Sequence, residues 1–237
     1  EVEGMMGDRP TGHPGGLGGA LPEGFTVKIG ESERTARTLI VATGTEPARL
    51  GVPGEDEFRG RGVSYCATCD GAFFRDRDVV VVGGGDSAIE EALFLTRFVR
   101  KLTVVHRRDE LRATRLLQDR AFANPKIEFK WNSIVKEIRG DSGVKGVIVQ
   151  DKDTGEVQEI LADGVFIYIG NRPNTAFLAG LVKLDEQGYI LTDERMRTDV
   201  PGIFAAGDVR RKSLRQIVTA VSDGATAAVE AGKLLEA

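Results

Sequence analysis

The stretch from Asp78 to Ala88 reads DVVVVGGGDSA, and it decides the fold of the chain around it. Four consecutive valines are typical of a strand that is buried on both faces of a sheet. The glycines that follow fit the pattern G-x-G-x-x-A, in which Gly83 permits a tight turn and Gly85 lets the backbone approach a pyrophosphate. Ala88 allows the next helix to pack closely on the strand. The stretch therefore predicts the opening of a dinucleotide-type unit.

The segments after the glycine turn complete that unit. Residues 87–99 place apolar side chains at helical spacing, and residues 102–105 form a second apolar, β-branched run. Strand, helix and strand in this order make a βαβ unit of the length expected for a mononucleotide-binding half. The N-terminus of the helix offers free N–H groups to phosphates. The candidate nucleotide-binding residues in the turn are Gly83, Gly84, Gly85, Asp86, Ser87 and Ala88.

The end of the second strand decides which nicotinamide cofactor is preferred. An NAD site usually carries an acidic residue there, whereas this chain has His106, Arg107 and Arg108, with Arg112 nearby. Arginines pair with a 2′-phosphate through charge-assisted hydrogen bonds, so they favour NADPH. The alternative is a solvated basic patch, because residues 97–120 contain eight Lys or Arg against three Asp or Glu. Their position at the strand end favours NADPH.

The two cysteines of the chain, Cys66 and Cys69, form a C-x-x-C pair just ahead of this unit. Such a pair can be a redox disulfide, half of a zinc site or two idle thiols. Zinc would need two further ligands, and His13 in a glycine-rich loop and His106 in the arginine cluster are poor candidates. Asp70 can donate or accept a proton during thiol exchange, and it can also be a simple turn residue. A thiol pair ahead of a dinucleotide unit favours electron transfer from a nicotinamide to a disulfide.

Composition and charge argue against several other classes of protein. The 237 residues are 41% apolar and 29% charged, which is ordinary for one large or two small globular domains. A formal net charge of -4 argues against a general nucleic-acid binder. No apolar run is long enough to cross a bilayer, and two cysteines do not make a secreted disulfide framework. We therefore expect a cytoplasmic protein that binds neither nucleic acid nor membrane.

The rest of the chain predicts further elements of an α/β fold. We expect strands at residues 25–29, 127–129, 144–149, 165–169, 189–191 and 203–206, and helices at 112–123 and 216–235. The run at 38–42 predicts another strand buried on both faces. Residues 7–24 are rich in Gly and Pro and predict a surface loop. Ile169 and Gly170, at the end of one predicted strand, join the candidate cofactor-binding residues.

Several short motifs occur together and in one order: Ala42-Thr43-Gly44, Cys66-Ala67-Thr68-Cys69-Asp70, the Gly83 turn, His106-Arg107-Arg108, Gly207-Asp208 and Arg215-Gln216-Ile217. This set resembles the low-molecular-weight, bacterial-type thioredoxin reductases. The resemblance extends over almost the whole chain, and the C-A-T-C-D block is its most specific part.

The resemblance implies an NADPH-dependent flavoprotein that passes electrons through FAD and the Cys66–Cys69 disulfide to thioredoxin. By the same similarity Asp70 donates and accepts protons during thiol exchange, and Asp208 binds the ribityl chain of FAD. The other residues expected near the flavin are Ala42, Thr43, Gly44, Gly207, Arg215, Gln216 and Ile217. A homodimer is implied by the family as well.

The implied architecture has two Rossmann-like nucleotide-binding domains, with the NADPH domain inserted into the FAD domain. Residues 1–46 would be a remnant of the FAD-binding domain, 47–171 the NADPH-binding domain with the C-x-x-C pair, and 172–237 the C-terminal part of the FAD-binding domain. The family begins with a strand, glycine turn and helix for the FAD pyrophosphate, and residues 1–40 do not supply them. The sequence is therefore interpreted as such a reductase without its first segment, with an incomplete FAD domain that is expected to hold FAD weakly or not at all.

The resemblance also implies a rotation of the NADPH domain, about hinges predicted at residues 45–47 and 170–173. Two alternatives remain open. One is a related flavin reductase that serves a peroxidase or another thioredoxin-like partner. The other is a non-catalytic, NADP-binding redox module.

Overall fold

The computed structural model describes residues Met5–Met6 and Gly24–Glu236. In chain order the strands are β1 (Met5–Met6), β2 (Phe25–Ile29), β3 (Ser32–Ala36), β4 (Leu39–Val41), β5 (Thr45–Pro47), β6 (Val63–Ser64), β7 (Asp78–Gly83), β8 (Lys101–Val105), β9 (Ile127–Lys130), β10 (Ser133–Gly140), β11 (Val144–Asp151), β12 (Val157–Leu161), β13 (Gly164–Tyr168), β14 (Asn171–Pro173) and β15 (Ile203–Ala205). The α-helices are α1 (Ala67–Asp70), α2 (Asp86–Leu95), α3 (Arg115–Phe122) and α4 (Ile217–Glu236). None of these described helices is both long and apolar enough to cross a membrane.

The described chain forms two units. Pro47–Gly170 make one, called here the inner unit, and the described residues before Pro47 and after Gly170 make the other, called the outer unit.

The inner unit is built on a five-stranded parallel sheet with the strand order β6-β13-β7-β8-β9. Val82 of β7 is in register with Val105 of β8, and Gly83 is in register with Tyr168 of β13. Because all neighbouring strands are parallel, the carboxyl ends of β6, β13, β7 and β8 lie along one edge of the sheet. The α/β fold with a parallel sheet confirms the predicted fold class.

The four valines of β7 are buried, as the sequence predicts, and they alternate between two cores. Val79 and Val81 pack with Ile89 of α2 on one face of the sheet. Val80 and Val82 face the second core, which contains the apolar side chains of β10 and β11. Full burial of one such side chain contributes about 1.5–3 kcal/mol. Both faces therefore hold β7 in place, and the glycine turn that follows is fixed at the sheet edge.

A three-stranded antiparallel sheet, β10-β11-β12, covers the second core. β11 was predicted from the sequence, whereas β10 and β12 were not. The apolar alternation of β10 is interrupted where the register shifts between Val135 and Glu137. β12 has mostly exposed side chains, so it lacks the pattern that marks a buried strand.

Two helices of the inner unit are shorter than predicted. α2 ends at Leu95, four residues early, where Thr96 Oγ1 donates a 2.7 Å hydrogen bond to Leu93 O and competes with the helical pattern. α3 begins at Arg115 and not at residue 112. Arg112 N instead donates to Gly84 O (2.8 Å), which attaches this loop to the glycine turn.

The outer unit contains the antiparallel sheet β1-β2-β3, the parallel pair β4-β15 and the long helix α4. Its main core gathers the buried side chains Phe25, Val41, Leu178, Val182, Ile190, Val200, Ile203, Ala205 and Val209. The loop predicted at residues 7–24 lies, except for Gly24, outside the described residues.

Three predictions for the chain outside the inner sheet are wrong. The strand at 38–42 is reduced to β4, and Ile40 is 43% exposed because β4 pairs with a single described strand, β15. Tyr189–Leu191 is not a strand, since Ile190 forms isolated bridges in the described chain. The predicted hinge segments, 45–47 and 170–173, were not predicted to contain strands, yet they contain β5 and β14, which pair with each other.

Candidate active site

Cys66 and Cys69 form a disulfide across the first turn of α1. Cys66 is the N-cap of this helix, and its Sγ accepts a 3.2 Å hydrogen bond from Cys69 N. Since β6 ends at Ser64, the disulfide lies at the carboxyl edge of the parallel sheet. Joined sulfurs offer no thiolate pair to zinc, so the structure favours the redox interpretation over the zinc one. His13 lies outside the described residues.

Ser64 connects the disulfide to the neighbouring carboxylate. Its Oγ donates to Asp70 Oδ2 (2.7 Å) and accepts from Cys66 N (3.1 Å). Ser64 is buried, and Asp70 N donates to Cys66 O (3.1 Å). The carboxylate of Asp70 is therefore held in a fixed position beside the helix that carries both sulfurs.

Tyr168 holds the other side of this helix. Its hydroxyl accepts a 2.7 Å hydrogen bond from Ala67 N, the first amide of α1, and Ala67 is fully buried. Burial raises the pKa of Tyr168, and the nearby charges of Glu91 and Asp70 raise it further. The hydroxyl therefore stays protonated at physiological pH.

A groove of about 430 Å³ opens beside Asp70 on the inner unit. The phenyl ring of Phe73, four residues after Cys69, is 81% exposed on its wall. The basic side chains on the wall are Arg61, Arg77 and Lys145. An apolar ring and several charged side chains, among them Asp163 paired with Arg77, thus border a groove that reaches Asp70, the residue after Cys69.

In the glycine turn between β7 and α2, Gly84 is tightly packed and Gly85 faces open space. A Cβ added to Gly84 would lie 2.3 Å from the ring of His106, so no larger residue fits there without a shift. A Cβ on Gly85 would meet its nearest atom, Arg112 Nη2, at 3.9 Å. Asp86 Oδ1 accepts from Thr114 N (2.6 Å), which fixes the start of α2. The open space lies at the N-terminus of this ten-residue helix.

His106 lies beneath the turn and not on the surface. Its side chain is buried, and burial lowers its pKa, with the positive charges of Arg112 and Arg108 lowering it further. The neutral ring packs edge-on to Trp131, with 6.4 Å between the ring centroids. The structure therefore gives His106 a packing role under Gly84.

Arg107, Arg108 and Arg112 are exposed, and the first two follow His106, the residue after β8. The backbone of this segment is anchored, because Arg108 O accepts from Asn132 N (3.2 Å). Ile169 and Gly170 follow β13, whose last residue is in register with Gly83. The candidate nucleotide-binding residues of the inner unit thus share the edge of the sheet that carries the disulfide.

In the outer unit, β4 and β15 end side by side. Ala206 N donates to Val41 O (2.9 Å), so the segments Ala42-Thr43-Gly44 and Gly207-Asp208 leave the sheet at the same edge. Asp208 Oδ1 is buried and has no hydrogen-bond partner among the described residues.

Asp223 on α4 fixes the turn that contains Asp208. Its carboxylate accepts from Gly207 N (3.0 Å), Arg210 Nε (2.8 Å) and Lys212 Nζ (2.7 Å). Burial alone would raise the pKa of Asp223, but these hydrogen bonds outweigh it and lower the pKa to about 2.

The motif Arg215-Gln216-Ile217 leads into α4. The Arg215 guanidinium lies over the ring of Tyr189 at 4.0 Å, and its Nε donates to Asp208 O (3.4 Å). Gln216 precedes the first residue of α4, Ile217, which is 84% exposed.

Comparison with known proteins agrees with this geometry. The family profile described as pyridine nucleotide-disulphide oxidoreductase matches residues 23–224. A thioredoxin reductase of Peptoclostridium litorale is 52% identical over 223 residues, which are 90% of this chain and 71% of the relative. One of Bacillus subtilis is 58% identical over 203 residues, which are 85% of this chain and 64% of the relative. The chain belongs to the thioredoxin reductase family.

A solved thioredoxin reductase from Streptococcus pyogenes has the same fold, with a TM-score of 0.88 at 50% identity. The match covers all of this chain and 73% of that one. The resemblance stated from the sequence motifs is thereby confirmed, and this chain spans 64% to 73% of the length of these thioredoxin reductases.

Several residues that hold the candidate site residues of each unit in place were not predicted from the sequence. Ser64 and Tyr168 hold the two sides of α1, and Asp223 holds the Gly207 turn. Ser64 could have been noticed because it lies only two residues before Cys66. Tyr168 is 101 residues from its partner Ala67, and no local pattern reveals such a contact.

Proposed function

We propose that the inner unit is the NADPH-binding domain of a thioredoxin-disulfide reductase and that Cys66–Cys69 is its redox disulfide. One observation carries this proposal: the disulfide and the glycine turn lie at the same edge of one parallel sheet. Tyr168 connects them, because its backbone is in register with Gly83 and its hydroxyl binds Ala67 N.

The inner unit fits NADPH. The open space at Gly85 faces the N-terminus of α2, where a pyrophosphate would find free N–H groups. Arg107, Arg108 and Arg112 would bind the 2′-phosphate, and His106 would support the turn from below. The remaining residues proposed to line this site are Gly83, Gly84, Asp86, Ser87, Ala88, Ile169 and Gly170.

The outer unit fits part of an FAD site. Asp208 Oδ1, which is buried and has no partner within the described part of the chain, is suited to accept a hydrogen bond from a hydroxyl group, such as one of the ribityl chain. The remaining residues proposed to line the flavin are Ala42, Thr43, Gly44, Gly207, Arg215, Gln216 and Ile217.

NADPH and FAD, when bound, supply the electron pair that the disulfide accepts. Reduction breaks the Cys66–Cys69 bond and requires two electrons and two protons. The Asp70 carboxylate, held by Ser64, would take and return a proton beside the sulfurs. One thiolate of the pair then attacks the partner disulfide, and the second resolves the mixed disulfide. The partner leaves as a dithiol, and the Cys66–Cys69 bond is restored.

Thioredoxin is the proposed partner, and the groove with exposed Phe73, which reaches Asp70 beside Cys69 in the sequence, is the surface proposed to receive it. Cytoplasmic location and a homodimer belong to the same proposal. The names of the relatives support the choice of thioredoxin.

The test is oxidation of NADPH by the purified chain with added FAD and thioredoxin, followed by absorbance. We expect oxidation that requires thioredoxin and is abolished by Cys69→Ser. A peroxidase or another thioredoxin-like protein that is reduced faster than thioredoxin would contradict the choice of partner. Tight NADPH binding without disulfide reduction would favour the non-catalytic redox module.

A further inference from the structure

Glu55 is a buried carboxylate that the reaction described above does not use. It is 2% exposed, yet its two oxygens accept three hydrogen bonds. Oε1 accepts from Leu50 N (3.0 Å) and from the hydroxyl of Tyr65 (2.7 Å), and Oε2 accepts from Gly51 N (2.7 Å). A buried carboxylate is tolerated when several donors satisfy it, and here three donors are directed at its two oxygens.

Tyr65 joins this carboxylate to the disulfide. It immediately precedes Cys66, and its ring packs against the second core of the inner unit. Burial raises the pKa of Tyr65, and the hydrogen bond to Glu55 raises it further, so the phenol remains a donor. On the next residue, Cys66 N is fixed by Ser64 Oγ. The backbone that presents the first sulfur is thus held on both sides.

The other two donors belong to the segment at which the chain enters the inner unit, residues 47–51, called here the entry segment. Ala48 N donates to Gly170 O (2.9 Å), and Leu50 N and Gly51 N donate to Glu55. Leu50 also packs against the second core beside Tyr65. The entry segment and the residue before Cys66 therefore share a single acceptor.

We propose that Glu55 is a positioning residue for the redox disulfide, which acts through Tyr65 to hold Cys66 and to join the entry segment and α1 into one rigid body. The inference rests on the proposed function, because it assigns Glu55 to the Cys66–Cys69 couple. A displacement of the entry segment would then be transmitted to the sulfurs.

Two variants separate the parts of this network. Glu55→Gln keeps the shape but replaces one accepting oxygen with an NH2 group, which cannot accept a hydrogen bond. Tyr65→Phe keeps the carboxylate and its bonds to Leu50 and Gly51, and removes only the connection to Cys66. The matched control is Glu57→Gln, since Glu57 is an exposed glutamate two residues from Glu55 in the sequence.

The first measurement is amide hydrogen exchange of the oxidised chain at residues 66–70. We expect exchange at least about tenfold faster in both variants than in the wild type, and no change in Glu57→Gln. At residues 50–51, exchange should rise in Glu55→Gln and stay unchanged in Tyr65→Phe. Unchanged protection of residues 66–70 in Tyr65→Phe would overturn the inference, even if Glu55→Gln fails to fold.

The second measurement is the equilibrium between the disulfide and dithiothreitol, which depends on neither NADPH nor FAD. In Tyr65→Phe we expect a shift of about threefold to tenfold toward the reduced form, because the network holds the closed disulfide in place. Faster exchange with an unchanged equilibrium would make Glu55 a purely structural residue and overturn its positioning role. Failure of the proposed function can be distinguished from failure of this inference, because the wild-type protein would then show no NADPH-driven disulfide reduction.

Discussion

The hydroxyl of Ser64 donates a 2.7 Å hydrogen bond to the carboxylate of Asp70 while it accepts from Cys66 N. One buried side chain therefore positions both the proposed proton carrier and the backbone of the first sulfur.

Replacing this hydroxyl should slow thiol exchange and leave nucleotide binding intact. Ser64→Ala removes both hydrogen bonds, so we expect disulfide reduction of the partner to slow by roughly 3- to 10-fold. NADPH affinity, measured by fluorescence titration, should not change. Ser133→Ala is the matched control, because Ser133 is also buried and donates to a backbone oxygen, Trp131 O, away from α1. An equal loss in both variants would point to general destabilisation.

The second and third glycines of the turn, Gly84 and Gly85, should respond differently to an added methyl group. Gly84→Ala places a Cβ 2.3 Å from the ring of His106, so we expect lower stability together with weaker NADPH binding. Gly85→Ala has room in the free protein, so its urea midpoint should match the wild type while NADPH affinity falls at least about tenfold. Wild-type binding by Gly85→Ala would exclude a pyrophosphate at this position.

The arginines after β8 should discriminate NADPH from NADH. Removing both side chains in Arg107→Ala/Arg108→Ala eliminates charge-assisted hydrogen bonds to a 2′-phosphate. We expect the dissociation constant for NADPH to rise about tenfold or more, and that for NADH to change little. Arg100→Ala is a suitable control, since Arg100 is an exposed arginine that pairs with Asp78 at the opposite end of the sheet. Equal losses for the two nucleotides would show that these arginines do not read the phosphate.

Asp223 should make the outer unit sensitive to acid. Its pKa of about 2 lies below the unfolded-state value near 3.9, so the carboxylate stabilises the folded state at pH values above about 4. This contribution, about 2 kcal/mol, is lost as the pH falls from about 4 to about 2.

Asp223→Asn tests that contribution because it leaves Arg210 and Lys212 near a neutral group. We expect a loss of about 3 kcal/mol in unfolding free energy at neutral pH, and little further loss between pH 4 and pH 2. Urea unfolding followed by far-UV circular dichroism, which detects the helix α4, measures both. Asp56→Asn, at an exposed ion pair, should cost less than about 1 kcal/mol. An unchanged acid slope in Asp223→Asn would assign the acid sensitivity to other groups.

The parts of the fold that could be predicted are those that depend on residues adjacent in sequence. The run Val79–Val82 and the glycines after it are sufficient to locate β7, the turn and α2, because strand burial and turn geometry depend on adjacent residues. The spacing of Cys66 and Cys69 likewise predicts a reactive pair, and the structure forms it.

The rest depends on partners that are distant in sequence. β10 was missed because a register shift interrupts its alternation, and β12 because its pairing with β11, not its own side chains, makes it a strand. The hydroxyl of Tyr168 and the carboxylate of Glu55 gain their roles from contacts across the fold. The type of a single residue does not reveal contacts with residues that are distant in sequence.

Trp131, the single tryptophan of the chain, stacks on Phe129 and meets the edge of His106, which supports Gly84 from below. The molecule therefore contains its own optical probe of the dinucleotide turn. Occupation of that turn should alter the indole emission, so cofactor binding can be followed in the unmodified protein without attaching a dye.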